Sequence, residues 1–207
     1  MTISLFDAGK RFNYDWIFRQ VNYTFHAGIK YAIVGPNGSG KSTLLQTLAG
    51  YSWLSEGRLL TTDPAGKFIP DDKLFEHVAL AAPYLEVVEE MNLMEFWKFQ
   101  STFYPMLSGF TPESICDRLG LGAAKHKQIR YFSSGMKQRV KLGQALFSSK
   151  SILLLDEPCT NLDAAGIERY HELVDELTSD KLVVICSNDE NEIRSCTTRL
   201  DIRDFKK

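Results

Sequence analysis

"YAIVGPNGSGKST", residues 31–43, decides the fold of this 207-residue chain. It opens with an apolar run of β type, "YAIVG" at 31–35. It closes on Lys41, Ser42 and Thr43, the start of the helical pattern "KSTLLQTLAGY". Between them "GPNGSGKS", 35–42, has the spacing of a phosphate loop: glycine, four residues, glycine, lysine, serine. Average residue frequencies make a chance match in a chain this long on the order of one in a hundred. Gly35, Gly38 and Gly40 let the backbone curl so that its N–H groups point inward. Those donors and the helix start behind them suit phosphate oxygens. Pro36, Asn37 and Ser39 complete the loop, and Thr43 follows it. Lys41 is placed to reach the β- and γ-phosphates, and Ser42 to hold Mg²⁺.

Further along, "SILLLDEP" at 151–158 ends an apolar run with two carboxylates. An aspartate there can join a metal shell in phosphoryl-transfer sites. Adjacent residues at a strand's end point in different directions. Asp156 is therefore the metal candidate, and Glu157 the group facing an attacking water.

Other strand-like runs are "TISLF" at 2–6, "HVALAA" at 77–82 and "LVVIC" at 182–186. The last of these, with 77–82 and 151–156, is continuously apolar, as strands buried on both faces of a mostly parallel sheet are. Helical patterns alternate with them; "AAGIERYHELVDEL" puts Ile167, Tyr170, Leu173, Val174 and Leu177 on one face. The class is α/β. Residues from about 84 to 148 break the alternation and read as an inserted helical subdomain. A core of about 1–83 and 149–207 surrounds it. Thr111 and Pro112 in "TPESICDRLGL" mark a helix start. Phe96, Trp97, Phe99, Phe103 and Tyr104 have two readings, a small helical core or a docking surface for another protein.

Composition limits the function classes. A net charge of -2 argues against a general polyanion binder. No apolar run approaches the roughly 20 residues of a spanning helix, and "MTISLFDAGK" has no signal-peptide pattern. Cys116, Cys159, Cys186 and Cys196 lack C-x-x-C spacing and read as reduced thiols. A cytoplasmic location is expected, with any membrane role exercised through a partner.

"FSSGMKQRV", 132–140, and "TNLD", 160–163, complete the pattern. With "GPNGSGKST" and "ILLLDEP" they stand in the order found in ATP-binding cassette (ABC) ATPases, and the chain resembles that family, most nearly its small export-type, haem-exporter-like subunits. The resemblance implies a phosphate-loop NTPase with a RecA-like parallel core, an N-terminal antiparallel β part and the helical insertion. It implies ATP and Mg²⁺ as ligands and two protomers facing head to tail. Each ATP then lies between the phosphate loop of one protomer and Ser133, Ser134 and Gly135 of the other, in a homodimer or with another ABC ATPase. A helix start with a Ser hydroxyl suits that γ-phosphate. Lys137, Arg139 and Lys141 read as the solvated face of that helix. The resemblance also implies an aromatic on adenine, Phe12 by spacing with Tyr14 as the alternative, and Asp163 near the dimer seam. Separate transmembrane permease subunits are the implied partners.

Two positions depart from the family pattern. Asn188 stands where a histidine contacts the γ-phosphate, and asparagine cannot shuttle protons. Ala82 or Pro83 falls where a metal-touching glutamine is usual; Glu86 is the nearest substitute. Hydrolysis is expected because Glu157 is present, though slowly. An ATP-gated interaction module with little hydrolysis is the alternative. A nucleic-acid-binding member of the family fits poorly with one cassette, no heptad arm and a slightly acidic balance. A phosphate-loop kinase would lack "SSGM" and "TNLD".

Overall fold

The computed structural model describes residues 1–206. The chain starts with a long hairpin, β1 (Thr2–Phe12) and β2 (Asp15–His26). Next come β3 (Lys30–Val34) and α1 (Lys41–Leu48), the strand and helix on either side of the glycine loop. β4 (Glu56–Thr62), β5 (Phe68–Ile69) and β6 (Val78–Ala81) follow. The insertion holds α2 (Leu93–Phe103), α3 (Pro112–Arg118) and α4 (Ser134–Leu146). β7 (Ile152–Asp156), α5 (Ala164–Leu177), β8 (Leu182–Cys186) and β9 (Thr198–Asp201) follow, and a 3-10 turn at Ile202–Phe205 comes after them.

Two sheets result. One is antiparallel, in the order β2-β1-β4-β5; the other is parallel, in the order β6-β7-β8-β3-β9. All residues of β7 and β8 are buried, and their side chains alternate between two cores. Leu153, Leu155, Val183 and Ile185 join Trp97, Ile115 and Tyr170 from the helices on one face. Ile152, Leu154, Leu182 and Val184 join Phe18, Phe25 and Leu45 on the other. Burial on both faces is why these runs lack polar alternation. The carboxyl ends of β3 and β7 lead into the glycine loop and the acidic pair, on the edge of a parallel sheet where ligands bind.

The five strands read from the sequence are present, with "TISLF" extending to Phe12. β2, β4, β5 and β9 add to them and show no clear period in the sequence. β1 and β2 hide their period because the pairing register shifts between Leu5 and Ala8, Ala8 and Lys10, and Lys10 and Arg11. Asp7 and Gln20 take left-handed backbone there, at φ 46° and 55°. Such bulges interrupt the two-residue alternation. β5 and β9, two and four residues long, are too short to show one.

In the insertion, Thr111 caps α3 as expected, its hydroxyl accepting from Ser114 N at 3.2 Å, with Pro112 next. Asn92 and Glu95 cap α2 reciprocally. The aromatics divide between both readings: Phe96 and Trp97 are buried, whereas Phe99, Phe103 and Tyr104 are exposed. No helix among the described residues is long and apolar enough to cross a membrane.

Candidate functional site

The glycine loop turns because its backbone can. Gly40 caps α1 at φ 108°, and a Cβ there would meet Ile17 Cγ2 at 2.4 Å. Gly35, at φ 142°, would place a Cβ 2.6 Å from Ile202 Cγ2. Only glycine meets both demands. Ser39 N donates to Pro36 O at 3.0 Å and closes the curl. Lys41 is buried, yet its Nζ donates to Gly35 O at 2.7 Å and Pro36 O at 3.3 Å, so the ammonium lies over the loop. A cavity of about 210 Å³ opens here, lined by residues 37–43, Ile17 and Glu157.

Asp156, at the end of β7, is buried beside Ser42, the second residue of α1. Burial raises its pKa, the Ser42 hydroxyl opposes that, and the neighbouring Glu157 raises it further. Glu157 takes left-handed backbone at φ 43° and lies in the cavity wall. Cys186 Sγ reaches Lys41 O at 3.5 Å, tying β8 to the base of α1. Asn188 is brought to the loop: its Oδ1 accepts from Gly35 N at 3.1 Å and its Nδ2 donates to Asn37 Oδ1 at 3.2 Å. The paired Ser42 and Asp156 offer hard oxygen ligands of the kind Mg²⁺ takes. Ser39 Oγ is buried without a hydrogen-bond partner among the described residues, as an orphan donor kept for a phosphate oxygen would be. The donor set therefore fits Mg²⁺ and a polyphosphate.

Other residues singled out in the sequence lie outside this cavity. Ser133 caps α4, accepting from Met136 N at 3.2 Å, and is exposed with Ser134. A Cβ on Gly135 would lie 2.7 Å from Asn161 O, so α4 starts hard against the "TNLD" turn. None of residues 133–135 lines the phosphate cavity. Asp163 caps α5, its Oδ1 accepting from Gly166 N at 2.8 Å. Phe12, at the tip of the first hairpin, is half exposed with Lys10 Nζ 5.0 Å from its ring centre; Tyr14 is almost fully exposed. Neither lines the cavity, whereas Ile17 does. Ile17 carried no signal in the sequence, being one apolar residue in an irregular strand.

Ala82 is buried, and Pro83 and Glu86 are exposed. Tyr84 stands near Gln46 of α1; burial raises its pKa and the Gln46 side chain opposes that. The cations of α4 are not a free solvated face. Lys137 pairs with Glu89 at 2.5 Å, Lys141 Nζ donates to Pro83 O at 3.1 Å, and Arg139 reaches Leu119 O and Gly120 O at 3.4 Å. All three are half-buried, their reach set by the packing of α4 against neighbouring loops.

A parallel sheet, a glycine loop at a helix start and a buried acid beside its serine define a phosphate-loop nucleotide-binding protein. Comparison with known proteins narrows the class. The model of the ABC transporter family matches residues 18–160. The lantibiotic transport ATP-binding protein SrtF of Streptococcus pyogenes is 30% identical over 181 residues, 83% of this chain and 73% of the relative. The cytochrome c biogenesis ATP-binding export protein CcmA of Mesorhizobium japonicum is 33% identical over 162 residues, 76% and 77% of the two chains. A putative ABC transporter ATP-binding protein from Pyrococcus furiosus shares the fold with a TM-score of 0.84 at 20% identity, covering 100% of both chains. The chain belongs to the ABC transporter family, as an ATP-binding domain.

Proposed function

We propose that this chain is the ATP-hydrolysing subunit of a membrane ABC exporter and works by closing two copies around ATP. The observation that carries the reading is the separation of two anion-friendly helix starts. The start of α1 lines the phosphate cavity beside Glu157, whereas Ser133 at the start of α4 is exposed and contributes nothing to it. A second copy can present that helix start to the γ-phosphate. ATP then acts as an adhesive, and loss of the γ-phosphate reopens the pair.

Within one copy the division of labour follows from placement. The loop N–H groups and Lys41 bind and orient the phosphates. Ser42 and Asp156 would hold Mg²⁺, which supplies charge neutralisation at the phosphate oxygens when bound. Glu157 orients water and accepts its proton. Asn188 holds the loop through Gly35 and Asn37 and has no proton to exchange. Phe12 supplies the adenine-facing aromatic, and Asp163 stands at the seam between copies. The core of about 1–83 and 149–207 is the unit that binds ATP, and 84–148 the unit that carries α4 and its Ser133 cap.

The partner is a transmembrane permease, and the location is the cytoplasmic face of its membrane. The export direction draws on the relative whose name specifies export. A groove lined by Tyr51, Phe75, Gln100, Tyr104, Lys141 and Lys150 lies beside the exposed Phe99 and Phe103 and is the surface we assign to the permease. An ATP-gated module with little turnover is the second reading, favoured by Asn188 and by Ala82 and Pro83 at the glutamine's place. Phosphate release from Mg²⁺-ATP separates the two. The first reading expects wild-type release well above that of Glu157→Gln, and loss of it in Ser133→Ala and Gly135→Asp. Equal release by wild type and Glu157→Gln leaves the second.

A further inference from the structure

Three consecutive residues of the acidic turn are each held by a different element. Glu157 N donates to Cys186 O of β8 at 2.9 Å. Pro158 O accepts from Gln138 Nε2 of α4 at 2.7 Å. Cys159 N donates to Glu192 Oε1, in the segment after β8, at 2.7 Å. Both side chains are almost wholly buried, Gln138 and Glu192 each 5% exposed. Glu192 is fixed in turn, since its backbone carbonyl accepts from the Tyr170 hydroxyl at 3.1 Å.

The need for such clamping lies in Glu157 itself. A non-glycine residue at φ 43° is strained and persists only where its surroundings determine it. Cys186 fixes the residue's own N–H, and Thr160 N and Leu162 N close the turn on Glu157 O at 3.2 Å and Cys159 O at 2.9 Å; the two side-chain bonds anchor that closed turn to α4 and to the segment after β8. Glu192 also stands four residues beyond Asn188, so one short segment touches the phosphate loop at one end and the acidic turn at the other. Gln138 lies three residues beyond Gly135, so α4 touches the same turn.

We infer that Glu192 and Gln138 are positioning residues that hold the Glu157 turn in its left-handed, water-facing conformation. The inference rests on the reading of Glu157 as the base for hydrolysis. Neither residue lines the phosphate cavity. Their loss therefore displaces the carboxylate without altering how ATP is gripped. A displacement of about 1 Å at such a group can cost about a hundredfold in rate.

The test is steady-state phosphate release on the full chain, with melting temperatures recorded for every variant. Glu192→Leu removes the acceptor and keeps the bulk; Glu192→Gln keeps an acceptor oxygen. Gln138→Met keeps the length and drops the donor, and carries the test if Glu192→Leu does not fold. The expected result is a kcat lower by about 10- to 100-fold in Glu192→Leu and Gln138→Met, with KM for ATP within about twofold of wild type. Glu192→Gln recovers most of kcat. Unchanged kcat in the two truncating variants, KM rising in step with the loss, or Glu192→Gln falling as far as Glu192→Leu would overturn the inference and leave the role of Glu157 standing. Wild-type release no faster than that of Glu157→Gln overturns both.

Discussion

Alanine at Gly40 separates backbone strain from steric conflict in the phosphate loop. At Gly38 the backbone is left-handed, φ 74°, but nothing lies within 4 Å of an added Cβ. Gly38→Ala therefore meets strain alone, about 1–2 kcal/mol for an L-residue in that region. At Gly40, φ 108°, the same strain is joined by a Cβ 2.4 Å from Ile17 Cγ2. Forcing apart such a contact adds about 1–3 kcal/mol. For a chain of this size 1 kcal/mol corresponds to about 2–4 °C in melting temperature. Gly38→Ala should lower it by about 2–8 °C, and Gly40→Ala by about 4–20 °C. Ile17→Ala removes the obstructing methyl, so the double variant Ile17→Ala/Gly40→Ala should be more stable than the two single losses added together by about 1–3 kcal/mol. Scanning calorimetry without nucleotide reads all four proteins independently of any activity. Equal losses in Gly38→Ala and Gly40→Ala, or strict additivity of Ile17→Ala and Gly40→Ala, would show that contact with Ile17 adds nothing to the backbone strain.

Further outcomes follow from the same geometry. Lys41→Ala should lower ATP affinity by at least about tenfold, because a buried charge-assisted contact is lost; titration calorimetry reads it. Asp156→Asn should abolish the Mg²⁺ dependence of binding while raising the melting temperature of the nucleotide-free protein. Burial raises the pKa of Asp156, so the folded state holds its proton more tightly than the unfolded state. Its contribution therefore falls as pH rises through the ordinary aspartate range, and the gap favouring Asn should widen from pH 4 to neutrality. Lys150, with Nζ on Phe75 O and Val78 O, has a pKa lowered by burial to about 8. The unfolded chain then binds more protons than the folded one between the two pKa values. Wild-type stability relative to Lys150→Met should rise between about pH 8 and 10.5, measured by urea unfolding across that range.

The parallel core was legible because its strands are buried on both faces, and "SILLLD" and "LVVIC" say so residue by residue. The glycine loop was legible because φ values open only to glycine must be written into the sequence. The antiparallel strands were harder. Left-handed Asp7 and Gln20 break the alternation of the first hairpin, and nothing in their residue types announces it. Contacts between distant segments were harder still. Asn188 falls on the loop through bonds to residues about 150 positions earlier, and Gln138 and Glu192 look like ordinary surface residues of polar stretches. The aromatics of α2 had to be divided by the fold: helical spacing buries Phe96 and Trp97 and leaves Phe99 and Phe103 outside.

The head-to-tail pairing of two copies around ATP is tested most directly by the solution mass of Glu157→Gln, measured by light scattering with and without Mg²⁺-ATP. The expected result is a monomer without nucleotide, a doubled mass with Mg²⁺-ATP, and no doubling when Gly135→Asp is added. An unchanged mass at saturating Mg²⁺-ATP, or a doubled mass that ignores both nucleotide and Gly135→Asp, would contradict it.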